Sequence, residues 1–169
     1  DPICPASETA ELAWKFREAC DAHGARPVLY EVTKENLHIY LELGLTVLKL
    51  GEEAIVDLPE FSLDGAARKT FRNTKNVLER QGCQLEVVPA REFASIHQEV
   101  QAISDAWLRG KNTREKRFSL GRFDPQYLAH FPTAVVRCQG RILAFANIWE
   151  SAGKNELSIE LMRASHDAP

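Results

Sequence analysis

The sequence contains no uninterrupted run of roughly 18 apolar residues, so it predicts no helix that spans a membrane. It also has no internal repeat, no low-complexity segment and no recognisable signal peptide. The opening residues, DPICPASE, are instead typical of a piece cut from a longer polypeptide. With 169 residues, of which 44% are hydrophobic and 27% charged, the chain has the size and composition of an ordinary soluble globular protein.

Cysteine is scarce and scattered, because Cys4, Cys20, Cys83 and Cys138 form no CxxC pair. Zinc sites need clustered ligands, so this spacing predicts no metal site. Isolated cysteines are typical of reduced, buried thiols in a cytosolic setting, and that is the expected state of all four. The sequence also leads us to expect no cofactor.

Charge is distributed unevenly along the chain. Residues 1–63 carry 5 basic and 12 acidic side chains, whereas residues 64–122 carry 12 basic and 7 acidic ones. Residues 123–169 are nearly balanced, with 4 basic and 5 acidic side chains. A basic block inside an acidic protein indicates a polyanionic partner, although a solvated helix face has the same composition.

Apolar periodicity and turn signals predict alternating helices and strands. Helices are expected at about 8–23, 33–44, 64–81, 91–109 and 124–131. Strands are expected at 26–32, 83–89, 133–138, 141–149 and 156–163. The segments 45–50 and 53–58 are expected to form two strands or one bent ribbon broken at Gly51. Within the third helix, helical spacing predicts a buried stripe of Ala67, Phe71, Thr74 and Leu78.

The order of these elements suggests a fold. From residue 83 onward it is strand, long helix, short helix and three antiparallel strands, as in a GCN5-related acyltransferase domain up to its fourth strand. Residues 1–63 suit the back half of a similar domain. The predicted fold is therefore α/β (α+β), with two incomplete acyltransferase-like halves, 1–63 and 83–169, joined by a basic helix at 64–82.

Five stretches carry a resemblance to a known family. They are LGLTVLKLGEEAIVDLPEFSLDG (43–65), DAWL (105–108), REKRFSLGRFD (114–124), ILAFANIW (142–149) and ELMR (160–163). Together and in this order they resemble the cytosolic catalytic domain of bacterial aminoacyl-phosphatidylglycerol synthases, the lysyl- or alanyl-phosphatidylglycerol transferases also called multiple peptide resistance factors. One departure is Glu160, because the family commonly has Asp-Leu-Met-Arg at this motif.

The resemblance implies a tandem acyltransferase-like fold related to the transferases that build peptidoglycan cross-bridges from aminoacyl-tRNA. It implies transfer of an amino acid from aminoacyl-tRNA to a glycerol hydroxyl of phosphatidylglycerol. The lipid then becomes less negative, which weakens its attraction for cationic antimicrobial peptides. It also implies a cytoplasmic location and an N-terminal multi-span membrane region, which this chain lacks.

The residue types also indicate candidate site residues, unless the carboxylate and the arginine of the ELMR motif are only solvated or form a surface ion pair at a strand terminus. Glu160 would act as the base or bind the α-ammonium of the aminoacyl group, and Arg163 would hold a phosphate or stabilise the developing oxyanion. Because alternate residues of a strand face opposite sides, these two can share a site only if a bulge or strand end lies between them. Glu53 would bind the ammonium of the amino acid, unless it lies on a solvent-facing edge.

Two basic segments have candidate roles. On the helix 64–81, Arg68, Arg72 and Lys75 would contact the phosphates of the tRNA acceptor stem, unless that face is only solvated. In REKRFSLGRFDPQYL (114–128), Ser119 can donate a hydrogen bond, and Arg117 and Arg122 can bind a phosphate of the lipid or the tRNA. Alternatively the phenylalanines of this stretch anchor it to the core while its arginines face water.

Two other functions remain open from the sequence. One is a transferase of the same fold that acts on a peptide or a small amine, including an acetyl-CoA enzyme. The other is a non-catalytic RNA-binding module built from the basic helix. It predicts salt-sensitive tRNA binding without loss of the aminoacyl ester.

Overall fold

The computed structural model describes residues 1–115, 121–166 and 168. It has a mixed α+β fold and divides into two compact units, residues 1–59 and 60–169. The sequence predicts three segments, with boundaries after residues 63 and 82. This finer division of the chain stays a prediction. Arg117 and Ser119 lie outside the described residues.

The first unit is built on two helices, α1 (Thr9–Ala22) and α2 (Leu37–Glu42). Its small apolar core contains Ala13, Ile39, Tyr40 and Leu43. Arg17 joins the two helical segments, because its Nη1 donates to the carbonyl oxygen of Leu43 over 2.6 Å. Both predicted helices of this unit are therefore confirmed.

The strands predicted at 26–32, 45–50 and 53–58 are wrong. All three ranges are described, and none of their residues belongs to a helix or a strand. Their apolar side chains are mostly exposed, with Leu48 at 76% and Ile55 at 86% of full exposure. A strand is stable only when a neighbour satisfies its backbone and covers its apolar face, and no described segment pairs with these residues.

The basic helix belongs to the second unit, as a 3-10 turn at Ala66–Arg68 followed by α3 (Lys69–Arg80). The predicted buried stripe is wrong, because every residue of α3 is described and none is buried. Phe71 is 55% exposed, and only one end of the stripe, Leu78, is half-buried. The apolar periodicity therefore predicted the position of the helix correctly, but not the burial of its apolar side chains.

A four-stranded antiparallel sheet forms the centre of the second unit, in the order β1-β2-β3-β6. Its strands are β1 (Cys83–Val88), β2 (Thr133–Cys138), β3 (Arg141–Asn147) and β6 (Met162–Ala164). A separate hairpin pairs β4 (Trp149–Glu150) with β5 (Leu157–Ser158). The predicted strands 141–149 and 156–163 are thus each divided into two strands.

Helix α4 (His97–Gly110), preceded by a 3-10 segment at Ala90–Ser95, packs against β3 and β6. The main hydrophobic core lies here and consists of Val88, Phe93, Ile96, Val100, Ile103, Leu128, Val135, Ile142, Phe145 and Leu161. The short helix α5 (Pro125–Leu128) follows, with Pro125 in its first turn as the sequence predicts. These elements carry residues 104–115, 121–128 and 160–163, which contact one another.

The cysteine prediction needs a correction. Cys83 and Cys138 are paired in register on β1 and β2 and form a disulfide bond. Cys4 and Cys20 are free thiols. Sequence spacing did not reveal the pair, because the two cysteines are 55 positions apart in the sequence and only antiparallel pairing brings them together.

Candidate active site

Glu160 lies at a bend two residues before the start of β6, so a strand end separates it from Arg163. The fully buried Asn147 fixes this bend from β3. Its side-chain oxygen accepts the backbone N–H of Leu161 over 2.7 Å, and its own backbone N–H donates to the Leu161 carbonyl over 3.1 Å. Two hydrogen bonds to one residue hold the backbone next to Glu160 in a single position.

The carboxylate of Glu160 is half-buried and accepts a hydrogen bond from Tyr127 on α5, with 3.3 Å between the phenol oxygen and Oε2. Burial, and next the negative charge of Glu160, raise the pKa of Tyr127 above its ordinary value. The phenol therefore keeps its proton at neutral pH and remains a donor. Its ring lies against Phe131 and Trp149, with centroids 5.0 and 6.4 Å away.

Gly121 lies close to the same side chain. A Cβ atom at this position would lie 2.8 Å from Cγ of Glu160 and 3.0 Å from its Cδ. Only glycine leaves room for the side chain in this position. Tyr127 and Gly121 thus define where the carboxylate of Glu160 points.

Arg163 has a different environment, since it is only 5% exposed. Its guanidinium donates to Oγ of Ser104 over 2.6 Å and to Oε2 of Glu115 over 2.7 Å, and it lies 5.1 Å from the ring centroid of Trp107. The predicted contact of Arg163 with a phosphate or oxyanion stays a prediction. In this structure its charge is already paired inside the protein.

Arg122 lies at the surface and forms an ion pair of 2.8 Å with Asp124. Asp124 also caps α5, because its Oδ1 accepts the backbone N–H groups of Gln126 and Tyr127. The N–H of Tyr127 and next the side chain of Arg122 hold the pKa of Asp124 below its usual value. The predicted anion-binding arginine is therefore accessible and lies on the turn that leads to Tyr127.

The predicted tRNA-binding residues lie on and just before α3, at spacings that put them on one face. Arg68 lies over the rings of Phe61 and Phe71, at 5.1 and 5.9 Å from their centroids. Arg72 donates to two backbone carbonyls, those of residues 63 and 65. Lys75 forms a surface ion pair of 2.7 Å with Glu79.

Glu53 is exposed in the first unit, in a segment without helix or strand. Its predicted role in ammonium binding stays a prediction.

A shallow depression of about 320 Å³ lies at the end of α4, lined by Leu108, Arg109, Asn112, Thr113 and Arg114. Arg109 and Arg114 give it two positive charges. Among the described residues, no group of three or more His, Cys, Asp or Glu side chains could hold a metal ion. The described helices also include none that is long and apolar enough to cross a membrane.

Comparison with known proteins identifies the family. Residues 1–169 match the family described as phosphatidylglycerol lysyltransferase, C-terminal. The chain belongs to this family. A curated phosphatidylglycerol lysyltransferase of Bacillus subtilis (strain 168) is 38% identical to this member over 156 residues, which cover 92% of the chain and 18% of the relative.

Two solved structures share the fold of this phosphatidylglycerol lysyltransferase family member. One is described as the C-terminal domain of a lysylphosphatidylglycerol synthetase from Agrobacterium fabrum, with a TM-score of 0.93 and 43% identity. The other is L-PGS from Bacillus licheniformis, with a TM-score of 0.88 and 37% identity. Each match covers 100% of the chain and 54% of the solved chain. The chain thus spans about half the length of these structures and under a fifth of the curated relative.

Sequence reasoning about this family member missed three residues that shape the site: Glu115, Tyr127 and Asn147. Glu115 is the one carboxylate among the cations of 114–117, a signal that could have identified a charge partner. Tyr127 lies three residues after the capping Asp124, a position fixed by the helix start. Asn147 gave no signal, because only pairing between β3 and β6 places it beside residue 161.

Proposed function

We propose that the chain is part of an enzyme that transfers an aminoacyl group, lysyl or alanyl, from aminoacyl-tRNA to a glycerol hydroxyl of phosphatidylglycerol. Family membership and the name of the Bacillus subtilis relative support this activity. Its effect would be a less negative membrane and weaker attraction of cationic antimicrobial peptides. The proposed setting is the cytoplasmic face of a bacterial membrane, and the proposed finer fold is a tandem of GCN5-related halves.

The environment of Glu160 is the observation that carries this proposal. Its Oε2 is engaged by Tyr127, and Oε1 has no hydrogen-bond partner among the described residues, so it can accept the glycerol hydroxyl. In the proposed step the hydroxyl oxygen attacks the ester carbonyl carbon and its proton passes to Glu160. The bond between that carbon and the ribose oxygen then breaks, and the ribose oxygen takes the proton.

Cationic side chains would hold the two phosphorylated substrates. Arg122 is the proposed contact for the lipid phosphate or the tRNA terminus, together with Arg117 and Ser119. Its partner Asp124 does not preclude this, because an ion pair between exposed groups contributes little and a phosphate can compete for the guanidinium.

The tRNA itself would lie along α3. Arg68, Arg72 and Lys75 follow one face of this helix, and phosphate contacts need charge and spacing rather than base recognition. The ion pair between Lys75 and Glu79 is on the surface and is weak in water, so a phosphate can replace it.

The test is transfer of labelled lysine or alanine from charged tRNA to vesicles containing phosphatidylglycerol, with the full-length protein. We expect labelled lipid from the wild type and a kcat lower by about 10²- to 10⁴-fold for Glu160→Gln, because the base is lost. The matched control is Glu156→Gln, which makes the same chemical change at an exposed position of the β4–β5 hairpin. This variant should retain full activity.

The kinetic constants separate the two roles of Glu160. A loss confined to kcat supports the base, whereas a rise in KM for aminoacyl-tRNA with unchanged kcat supports ammonium binding. No labelled lipid from folded protein with either charged tRNA would overturn the proposed function. Salt-sensitive tRNA binding without loss of the ester would then favour an RNA-binding module.

A further inference from the structure

The charge of Arg163 is enclosed by protein groups. The side chain is 5% exposed, and its two terminal nitrogens donate to Ser104 and Glu115. Trp107 lies beside the guanidinium at 5.1 Å. A guanidinium this deeply buried and already paired presents almost no surface to a substrate phosphate.

Glu115 links this arginine to the turn that carries Arg122. Its Oε2 accepts from Arg163 over 2.7 Å, and its Oε1 accepts the backbone N–H of Phe123 over 3.1 Å. The ring of Phe123 packs against Phe145 of the core, with centroids 6.0 Å apart. One carboxylate therefore joins strand β6 to the backbone of residue 123.

The far end of the same turn lies against the candidate base. Gly121, two residues before Phe123, is in close contact with Glu160, and Asp124, one residue after it, starts the helix that carries Tyr127. A displacement of the turn would move both neighbours of the Glu160 carboxylate. Glu160 contacts the turn 121–124 at Gly121. Arg163 is connected to the backbone of the same turn at residue 123 through Glu115.

We propose that Arg163 and Glu115 form a positioning pair that fixes the turn 121–124 against Glu160, so that Arg163 acts through Glu115 and does not touch substrate. This inference rests on the proposed function for its effect on activity, but not for the bridge itself. It assigns a positioning role to Glu115.

The test is a double-mutant cycle in the full-length protein with Arg163→Gln, Glu115→Gln and the variant carrying both changes. Each single change breaks the ion pair between the buried guanidinium and the partly buried carboxylate, and we expect each to lower kcat by about 10²-fold through displacement of the turn. The double variant removes both charges of this pair, so we expect it to recover at least about tenfold over Arg163→Gln. An arginine that contacts the substrate cannot be rescued in this way.

A second readout does not depend on activity. We expect hydrogen exchange at the Phe123 amide to accelerate at least about tenfold in Arg163→Gln. Glu115 accepts this N–H, and in the variant it no longer forms the ion pair with Arg163 that helps to position it. Glu99→Gln is the matched control, since Glu99 also accepts a backbone N–H, that of Ile142 over 3.2 Å, on the same unit. It should leave the exchange rate at Phe123 and kcat unchanged, and unfolding in urea confirms that each variant is folded.

The outcomes are distinct. Slower transfer in both single variants, recovery in the double variant and faster exchange at Phe123 support the positioning pair. A double variant as inactive as Arg163→Gln, or unchanged exchange at Phe123 in that variant, would overturn it. If the wild type makes no labelled lipid, the proposed function fails, and the exchange measurement alone decides whether the bridge exists.

Discussion

The change Gly121→Ala tests how closely the turn fits the Glu160 carboxylate. An added Cβ would lie 2.8 Å from Cγ, 3.0 Å from Cδ and 3.3 Å from Oε2 of Glu160. Carbon atoms that are not bonded approach each other to about 3.5–4.0 Å, so the side chain of Glu160 must move by about 0.5–1 Å. The backbone of Gly121 does not have a positive φ, so alanine introduces no backbone strain there.

The expected loss is in catalysis more than in stability. The hydrogen bond from Tyr127 to Glu160 is already 3.3 Å long, and a further displacement of this size would break it or aim it elsewhere. A catalytic group misplaced by about 1 Å costs about 10²-fold in rate, so we expect kcat to fall by about 10- to 100-fold. Because Glu160 is a flexible, half-buried side chain, the free energy of unfolding should fall by less than about 1 kcal/mol.

The assay is the initial rate of labelled lipid formation at saturating concentrations of both substrates, beside unfolding in urea. Gly153→Ala is the matched control, because its Cβ would lie 3.5 Å from Oδ1 of Asn155, an ordinary contact. That variant should keep wild-type kcat. A Gly121→Ala enzyme with wild-type kcat would refute the reasoning. A loss of several kcal/mol of stability would show that Glu160 cannot move as assumed.

Three further predictions concern Tyr127, Asp124 and the disulfide. Tyr127→Phe removes the hydrogen bond to Glu160 and should lower kcat about tenfold with little change in KM, which steady-state kinetics would measure. Because the folded pKa of Asp124 is lowered, its stabilising effect is present above about pH 4 and is lost as pH falls through the folded pKa. The stability advantage of wild type over Asp124→Asn in urea should therefore shrink at acid pH, and a constant difference would contradict it. The disulfide bond between Cys83 and Cys138 closes a loop in the unfolded chain, because the two residues are 55 positions apart. Reduction opens this loop and should lower the free energy of unfolding by up to about 4 kcal/mol. Equal urea midpoints with and without reductant would exclude this.

The second unit could be predicted well because its signals are local. Asp124 followed by Pro125 predicts the start of α5, and the structure has the cap and the proline where expected. Gln139 and Gly140 both have positive φ and form the turn between β2 and β3, and a short glycine-containing connection between two apolar segments is typical of a hairpin. Each of these features depends only on residues that are close together in the sequence.

The first unit was predicted less well because a strand depends on distant partners. LTVLKL and EAIVDL have strand composition, yet the described structure provides neither of them with a neighbouring strand. The disulfide was missed for a related reason. Register between β1 and β2 decides that Cys83 faces Cys138, and no local pattern encodes that register.

The two charged residues of the ELMR motif show where sequence reasoning about a site stops. The sequence required a strand end between Glu160 and Arg163 if they were to share a site, and β6 does begin between them, at Met162. Their burial, however, gives them different surroundings, because Glu160 is half-buried whereas Arg163 is enclosed by Ser104, Trp107 and Glu115. The motif supplies a carboxylate and a cation. Packing against α4 buries Arg163 while Glu160 stays partly exposed, and nothing within the four-residue motif predicts this difference.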